Sequence, residues 1–355
     1  MTVLPEGADH PRRARVALRV VALVAVIAAA SFTIVAIRDH DSPRAASSTT
    51  DGSSARAQLS MSVQRLLAGS TLALTLGVDA SPAAMVHLLG ARSQLSTSQA
   101  RALTGASITV DVAAPAGRSI EAWTRHLAQG GSVRFALNEY GRPAIQLVGV
   151  GGRLYARVDV NRVIDFATNP SEYRRLLARS HFPASIRALI HGRWVAINSA
   201  ASSHELAPTP APTEIAATAL PRDLLRDVTV TEVGRTSNGE HLAIHLDTAR
   251  FLTDAFKAVG SVSPLGALGS SSLPRLPVSG VPLTADAWIT HQQLSRVTLD
   301  VTQFDRDRPL PTSSHVVLDL RLGTATAGPA IPSTSIHLSP LQIATVFSRL
   351  TEHRR

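Results

Sequence analysis

Two histidines four residues apart, His241 and His245, are the chain's nearest approach to a metal motif, because imidazoles at i and i+4 share one side of a helix and can grip a zinc ion together. Their neighbours point to a strand instead. Leu242, Ile244 and Leu246 alternate with them, which places the two histidines on the polar, solvent-facing side of a period-two pattern. Six carboxylates, Asp159, Asp165, Glu172, Asp247, Asp286 and Asp300, offer material for acid–base hydrolysis, which needs two of them held across one bond. Nothing in their spacing brings any two together. The chain has no His-Glu-x-x-His, calcium loop, phosphate-binding loop or Gly-x-Ser-x-Gly elbow. Gly149-Val-Gly151-Gly152 lacks the full dinucleotide-loop spacing and reads as a hairpin turn, and Asp305-Arg-Asp-Arg308 reads as a solvated turn. Trp194 and Trp288 lie beside strand patterns, where packing in a core or at a cavity rim is their ordinary use. With no cysteine in the chain, disulfides, thiol catalysis, zinc–thiolate sites and a lipid-modified N-terminal cysteine are excluded. The expectation is a non-enzymatic protein without metal or cofactor.

Charge does not supply a partner either. The net charge is +9, a value that invites a nucleic-acid or anionic-membrane reading. All but one of the 35 basic residues are arginine, Lys257 being the exception, and they are scattered. No basic arm forms, and the three Trp and three Tyr give little for base stacking, so no nucleic-acid partner is expected.

The apolar run 20–37 carries no charge and follows Arg12, Arg13, Arg15 and Arg19. As a helix it spans about 27 Å, close to the hydrocarbon thickness of a bilayer, and the arginine-rich flank places residues 1–19 in the cytoplasm and the bulk of the chain outside. Ala28-Ala29-Ala30 could serve as a cleavage site, but apolar character continues through Phe32, Ile34, Val35 and Ile37. The run therefore reads as a retained single-pass anchor in the cell membrane. Residues 38–59, rich in Ser, Thr, Ala and Asp, read as a disordered tether. Residues 60–355 then form the extracytoplasmic domain, with candidate halves 60–200 and 222–355 joined by the Pro-rich linker 201–221. Ser261 to Pro282 reads as a second long loop.

Within the domain the pattern is that of half-buried antiparallel strands. Val133, Phe135 and Leu137 share one face; Ile145, Leu147 and Gly149 do so in the next run; Leu154, Ala156 and Val158 stand opposite Tyr155, Arg157 and Asp159 after a glycine turn. The same alternation returns at Leu242–Ile244–Leu246, Ala287–Ile289, Val297–Leu299–Val301 and Val316–Leu318–Leu320. One oily face and one polar face are expected, with helices, a second sheet or a ligand over the oily one. Helices are signalled at 82–89, 96–104 and 248–259, and by the capping patterns Asn169-Pro170-Ser-Glu172 and Ser339-Pro340-Leu-Gln342. Leu154 to Ile164 and Leu242 to Leu252 resemble each other, each a strand ending in Asp followed by an Arg one turn on. That spacing suits a structural aspartate–arginine cap, and both a duplicated half-domain and shared local grammar would account for it.

Several short motifs resemble those of exported actinobacterial envelope lipoproteins of the LppX and LprG type: Gly152-Arg-Leu-Tyr-Ala156 with Gly192-Arg-Trp-Val195, Val228 to Val233 with Asn238-Gly-Glu-His-Leu242, Pro282 to Ile289 around Trp288, and Leu294-Ser-Arg-Val-Thr-Leu-Asp300. The match covers roughly Leu72 to Ile336. The resemblance implies a LolA-like half-barrel, a curved antiparallel sheet around an apolar cavity plugged by helices, and a role in binding or carrying lipids, lipoglycans or lipoproteins. The chain departs from that pattern in lacking a lipobox cysteine and in adding a capped C-terminal helix. A permanently anchored protein suits a fixed acceptor, relay or sensor better than a free shuttle.

The sequence reading is thus an α+β protein, a curved antiparallel half-barrel covered by helices after a transmembrane helix. It would bind a lipid, glycolipid or other amphiphile through the apolar sheet face: Phe135, Leu137, Ile145, Leu147, Leu154, Val158, Leu242, Ile244, Leu246, Ile289, Val297, Leu299, Val316 and Leu318. The alternative is an envelope protein-interaction or sensor module whose core is solid. A cavity beneath that face would let Ala156→Trp reduce ligand uptake while leaving folding intact.

Overall fold

Strands form where apolar and polar residues alternate. The computed structural model describes residues 50–93, 96–126, 130–150, 153–165, 170–179, 182–197, 228–247, 282–304, 315–325, 327–334 and 336–339. Among them, β1 (Thr71–Ala80), β2 (Ala106–Ala113), β3 (Ser132–Glu139), β4 (Arg142–Val150), β5 (Arg153–Val158), β6 (Val195–Ile197), β7 (Thr229–Thr236), β8 (Gly239–Asp247), β9 (Pro282–Thr290), β10 (Gln293–Asp300), β11 (Val316–Gly323) and β12 (His337–Leu338) make one open sheet. Its order is β12-β6-β5-β4-β3-β2-β1-β11-β10-β9-β8-β7. Every neighbouring pair is antiparallel except β12 with β6. The candidate halves are therefore one sheet, two meanders joined where β1 pairs with β11 from Ala73↔Gly323 to Ala80↔Val316. Asn238-Gly239 sits where β7 turns back into β8; Gly239 has φ 118°, and a Cβ there would lie 2.3 Å from the Ile289 carbonyl oxygen, so only glycine fits.

The helices start where the sequence offers caps. Ser81 Oγ accepts from Ala84 N at 3.1 Å ahead of α2 (Pro82–Ser93). Ser96 and Gln99 complete a reciprocal capping box at α3 (Thr97–Thr104). The Pro170 signal opens α6 (Pro170–Arg179). The remaining helices are α1 (Thr50–Ala68), α4 (Ile120–His126), α5 (Val160–Asp165) and α7 (Ala184–Ile190). The expected helices at 248–259 and beyond Ser339, the linker 201–221, the loop after Ser261, Asp305 to Arg308 and the apolar run 20–37 lie outside the described residues. Among the described residues no helix is long and apolar enough to cross a membrane.

Two expectations are corrected. The tether does not extend to residue 59: α1 begins at Thr50, and Ala55, Leu59, Val63, Leu66 and Leu67 form a buried stripe on it at the spacing a helix needs to bury one side. Small residues hide that stripe, since only one large apolar side chain precedes Ser60 in the helix. Nor is the second sheet face uniformly polar. On the first meander it carries a small core of Val148, Tyr155 and Ala196 with Trp194 packed against it. A strap from β11 crosses this face to reach β6. Thr71 Oγ1 donates to the Ala325 carbonyl at 2.8 Å, Gly328 lies against Ala113 and Ser132, and Thr334 Oγ1 donates to the Trp194 carbonyl at 2.7 Å.

Leu59→Ala is expected to cost about 2–4 kcal/mol of unfolding free energy, the usual range for emptying a buried leucine site, measured by urea titration. An unchanged midpoint would return this turn of α1 to the tether.

Candidate functional site

Residues opposite one another in an antiparallel ladder share a face. Followed across the sheet, the register unites all fourteen predicted residues. Val158↔Ile145↔Leu137 and Ala156↔Leu147↔Phe135 continue through Ile108 and Val110 of β2 to Leu76 and Leu74 of β1. From there the same face runs through Leu320, Leu318 and Val316 to Val297 and Leu299, then to Ala287 and Ala285, and finally to Leu242, Ile244 and Leu246, with Ile289 opposite Glu240.

Coverage divides this face into two regions. Over the second meander α1 packs against β7 and β10, and Leu242, Ile289, Val316 and Leu318 are buried in the main core, with Ile244, Val297 and Leu299 packed against it. The first four are interior and the last three are half-buried against that core, so this end of the face is packed into the main core among the described residues. Ala84 and Met85 of α2 and Ala100 of α3 join the same core. At the far end, Ile186 of α7 packs with Val195 and Leu338. Between these covers lies a less enclosed stripe. Leu137, Ile145, Leu147 and Val158 are only half-buried, Phe135 rests at the margin of the main core, and Leu154 is 42% exposed. Ala156, by contrast, is 5% exposed, so Ala156→Trp would overpack the sheet rather than fill a void.

The stripe ends in charge. Glu139, buried on the same face beyond Leu137, faces Arg162 of α5, whose Nη1 lies 3.5 Å from Glu139 Oε2 and whose Nε donates to Asp159 Oδ2 at 3.1 Å. The aspartate–arginine step anticipated at Asp159 is therefore formed. Its counterpart at Asp247 and Arg250 cannot be compared, because Arg250 lies outside the described residues.

Among the described residues the other carboxylates do not converge on a reaction centre. Asp286 Oδ1 lies 2.8 Å from His241 Nε2, and Asp300 Oδ2 lies 3.0 Å from His315 Nδ1. Glu172 is exposed on α6, and the side chains of Asp165 and Asp247 are outside the described residues. His241 and His245 do occupy the face opposite Leu242 and Ile244, yet His241 is engaged rather than merely solvated. Its ring stacks on Trp288 at 4.9 Å with 2° between planes, while the Arg296 guanidinium lies 5.2 Å from the Trp288 ring centre. Arg296 Nε in turn donates to Asp319 Oδ1 at 2.7 Å, and Arg321 Nε to Asp319 Oδ2 at 3.0 Å. On the first meander Asp111 and Arg134 pair in the same manner, with Arg134 Nε donating to Asp111 Oδ2 at 2.7 Å. Trp194 likewise packs on the face away from the stripe, with Arg157 6.0 Å from its ring centre. Among the described residues no group of three or more His, Cys, Asp or Glu is placed to hold a metal ion.

Comparison with known proteins adds a distant likeness. No protein-family model matches the chain, and no curated protein does. Among solved structures, the crystal structure of LprF from Mycobacterium bovis aligns over 80% of this chain and 99% of its own, with 12% sequence identity and a TM-score of 0.33.

Asp319→Ala is expected to cost about 1–3 kcal/mol, because Asp319 is buried and its loss strips two guanidiniums of their acceptor. Arg321→Ala should cost less than about 1 kcal/mol, since that side chain is 70% exposed. Thermal unfolding of the two variants provides the comparison.

Proposed function

We propose that the chain is a membrane-anchored, extracytoplasmic binding protein for a lipid or other amphiphile, without enzymatic activity. The observation that carries this reading is the stripe over β3, β4 and β5. Leu137, Ile145, Leu147 and Val158 are half-buried there and Leu154 is exposed, none of them packed into a core as the rest of the face is, and the stripe ends at the Glu139–Arg162–Asp159 cluster. Exposed apolar surface is costly at about 25 cal/mol per Å², and an apolar strip with an ionic end matches a molecule that is itself apolar with a polar end. The sheet curves around the ligand as a half-barrel. Residues 20–37 span the membrane and hold the domain at its outer surface, so the ligand is drawn from the envelope.

The test is native mass spectrometry of residues 38–355, purified from the protein's own host without detergent, followed by lipid extraction. A stoichiometric amphiphile is expected. A bare mass, with no uptake from host lipid extract, would overturn the reading and leave a solid interaction module.

A further inference from the structure

Gly149 stands inside β4, in line with Val133 on β3 and Leu154 on β5. Nothing in its own backbone calls for glycine. Its φ is not in the left-handed region, and among the described residues a Cβ built there meets nothing within 4 Å. Glycine in a strand interior forfeits about 0.5–1 kcal/mol relative to a residue with a side chain, and such positions mark places where another molecule or backbone approaches closely. Here the resulting notch lies on the incompletely covered stripe, beside the exposed Leu154.

We propose that this notch seats one alkyl chain of the ligand, in contact with Val133 on one side and Leu154 on the other; the proposal rests on the amphiphile reading above. Size selects the occupant. The walls rise from strands two spacings apart, about 9.6 Å, so an atom centred over Gly149 is about 4.8 Å from each, close to carbon–carbon contact distance. A single methylene chain fits, whereas a helix of about 10–12 Å diameter does not. Polarity excludes an extended peptide, whose N–H and C=O groups would meet Val133, Leu154 and Phe135 with no hydrogen-bond partner. The chain then runs from the notch along Leu147 and Ile145 toward the ionic end of the stripe.

The experiment uses the full chain in phospholipid nanodiscs doped with phosphatidylglycerol bearing a diazirine in its acyl chain, with adducts located by peptide mass spectrometry after illumination. Adducts are expected on the β3–β5 peptides. Gly149→Leu should reduce their yield at least about tenfold, and Gly149→Ala by about threefold, the equivalent of one displaced methylene contact. Gly77→Leu is the matched control. It adds the same bulk at a strand glycine with equally open surroundings, in register with Asp319 on the opposite face, and should leave the yield unchanged. Adducts on β3–β5 that persist in folded Gly149→Leu and Gly149→Ala, or adducts only on β8–β11, would overturn the notch while leaving lipid binding in place. Adducts confined to residues 20–37 would overturn both.

Discussion

The ladder between β1 and β11 is the joint on which the molecule depends. Each meander alone would be a sheet with its own oily face. Pairing Ala73 through Ala80 with Gly323 through Val316 aligns Leu74, Leu76 and Val78 with Leu322, Leu320 and Leu318, and the two apolar faces become one. A slip of a single residue would turn every one of those side chains to the other side. On that other side the joint is flanked by the two Asp–Arg pairs, Asp111–Arg134 on β2–β3 and Asp319–Arg296 on β11–β10. A slip would push those charges into the core, so burial on one face and charge on the other fix the same register.

Coverage of the shared face is unequal because the helices come from different places in the chain. α1 arrives just before β1 and lies over the second meander, so it fills that half with Leu59, Val63, Leu66 and Leu67. α7 is the last helix before β6 and packs against β5, β6 and β12, so it covers the far edge. The stripe between is what these two placements leave. It lies on β3, β4 and β5, where α1 does not reach, and it includes the glycine that needs no room of its own.

Alternation alone makes the strands legible along the chain. Period-two burial leaves a direct mark, as in Val133–Phe135–Leu137 and Leu242–Ile244–Leu246, and caps such as Ser96 with Gln99 mark helix starts chemically. The fourteen apolar residues fall on one face for the same reason. Which of them are interior is not legible, because Leu242 and Leu147 look alike in sequence and differ only in whether α1 lies above them. Small side chains hide the first turns of α1, and the strap from Ala325 to Thr334 has no periodicity to betray it. Gly149 reads as one of the adjoining turn glycines because its neighbours in sequence are Gly151 and Gly152, although its neighbours in space are Val133 and Leu154.

The parallel pairing of β12 with β6, His337↔Ala196 and Leu338↔Ile197, has a consequence in time. A chain synthesised from its N-terminus delivers β1 to β6 well before their last two partners. β1 must wait for β11, and β6 must wait for residues close to the end of the chain. Long-range closures of this kind slow folding, since the entropy of the loop is lost before the contact repays it. During synthesis the first meander therefore spends its early life with both flanks unpaired. Its open edges are exposed to proteases and holding chaperones in that interval, and the pairing of β12 with β6 ends it.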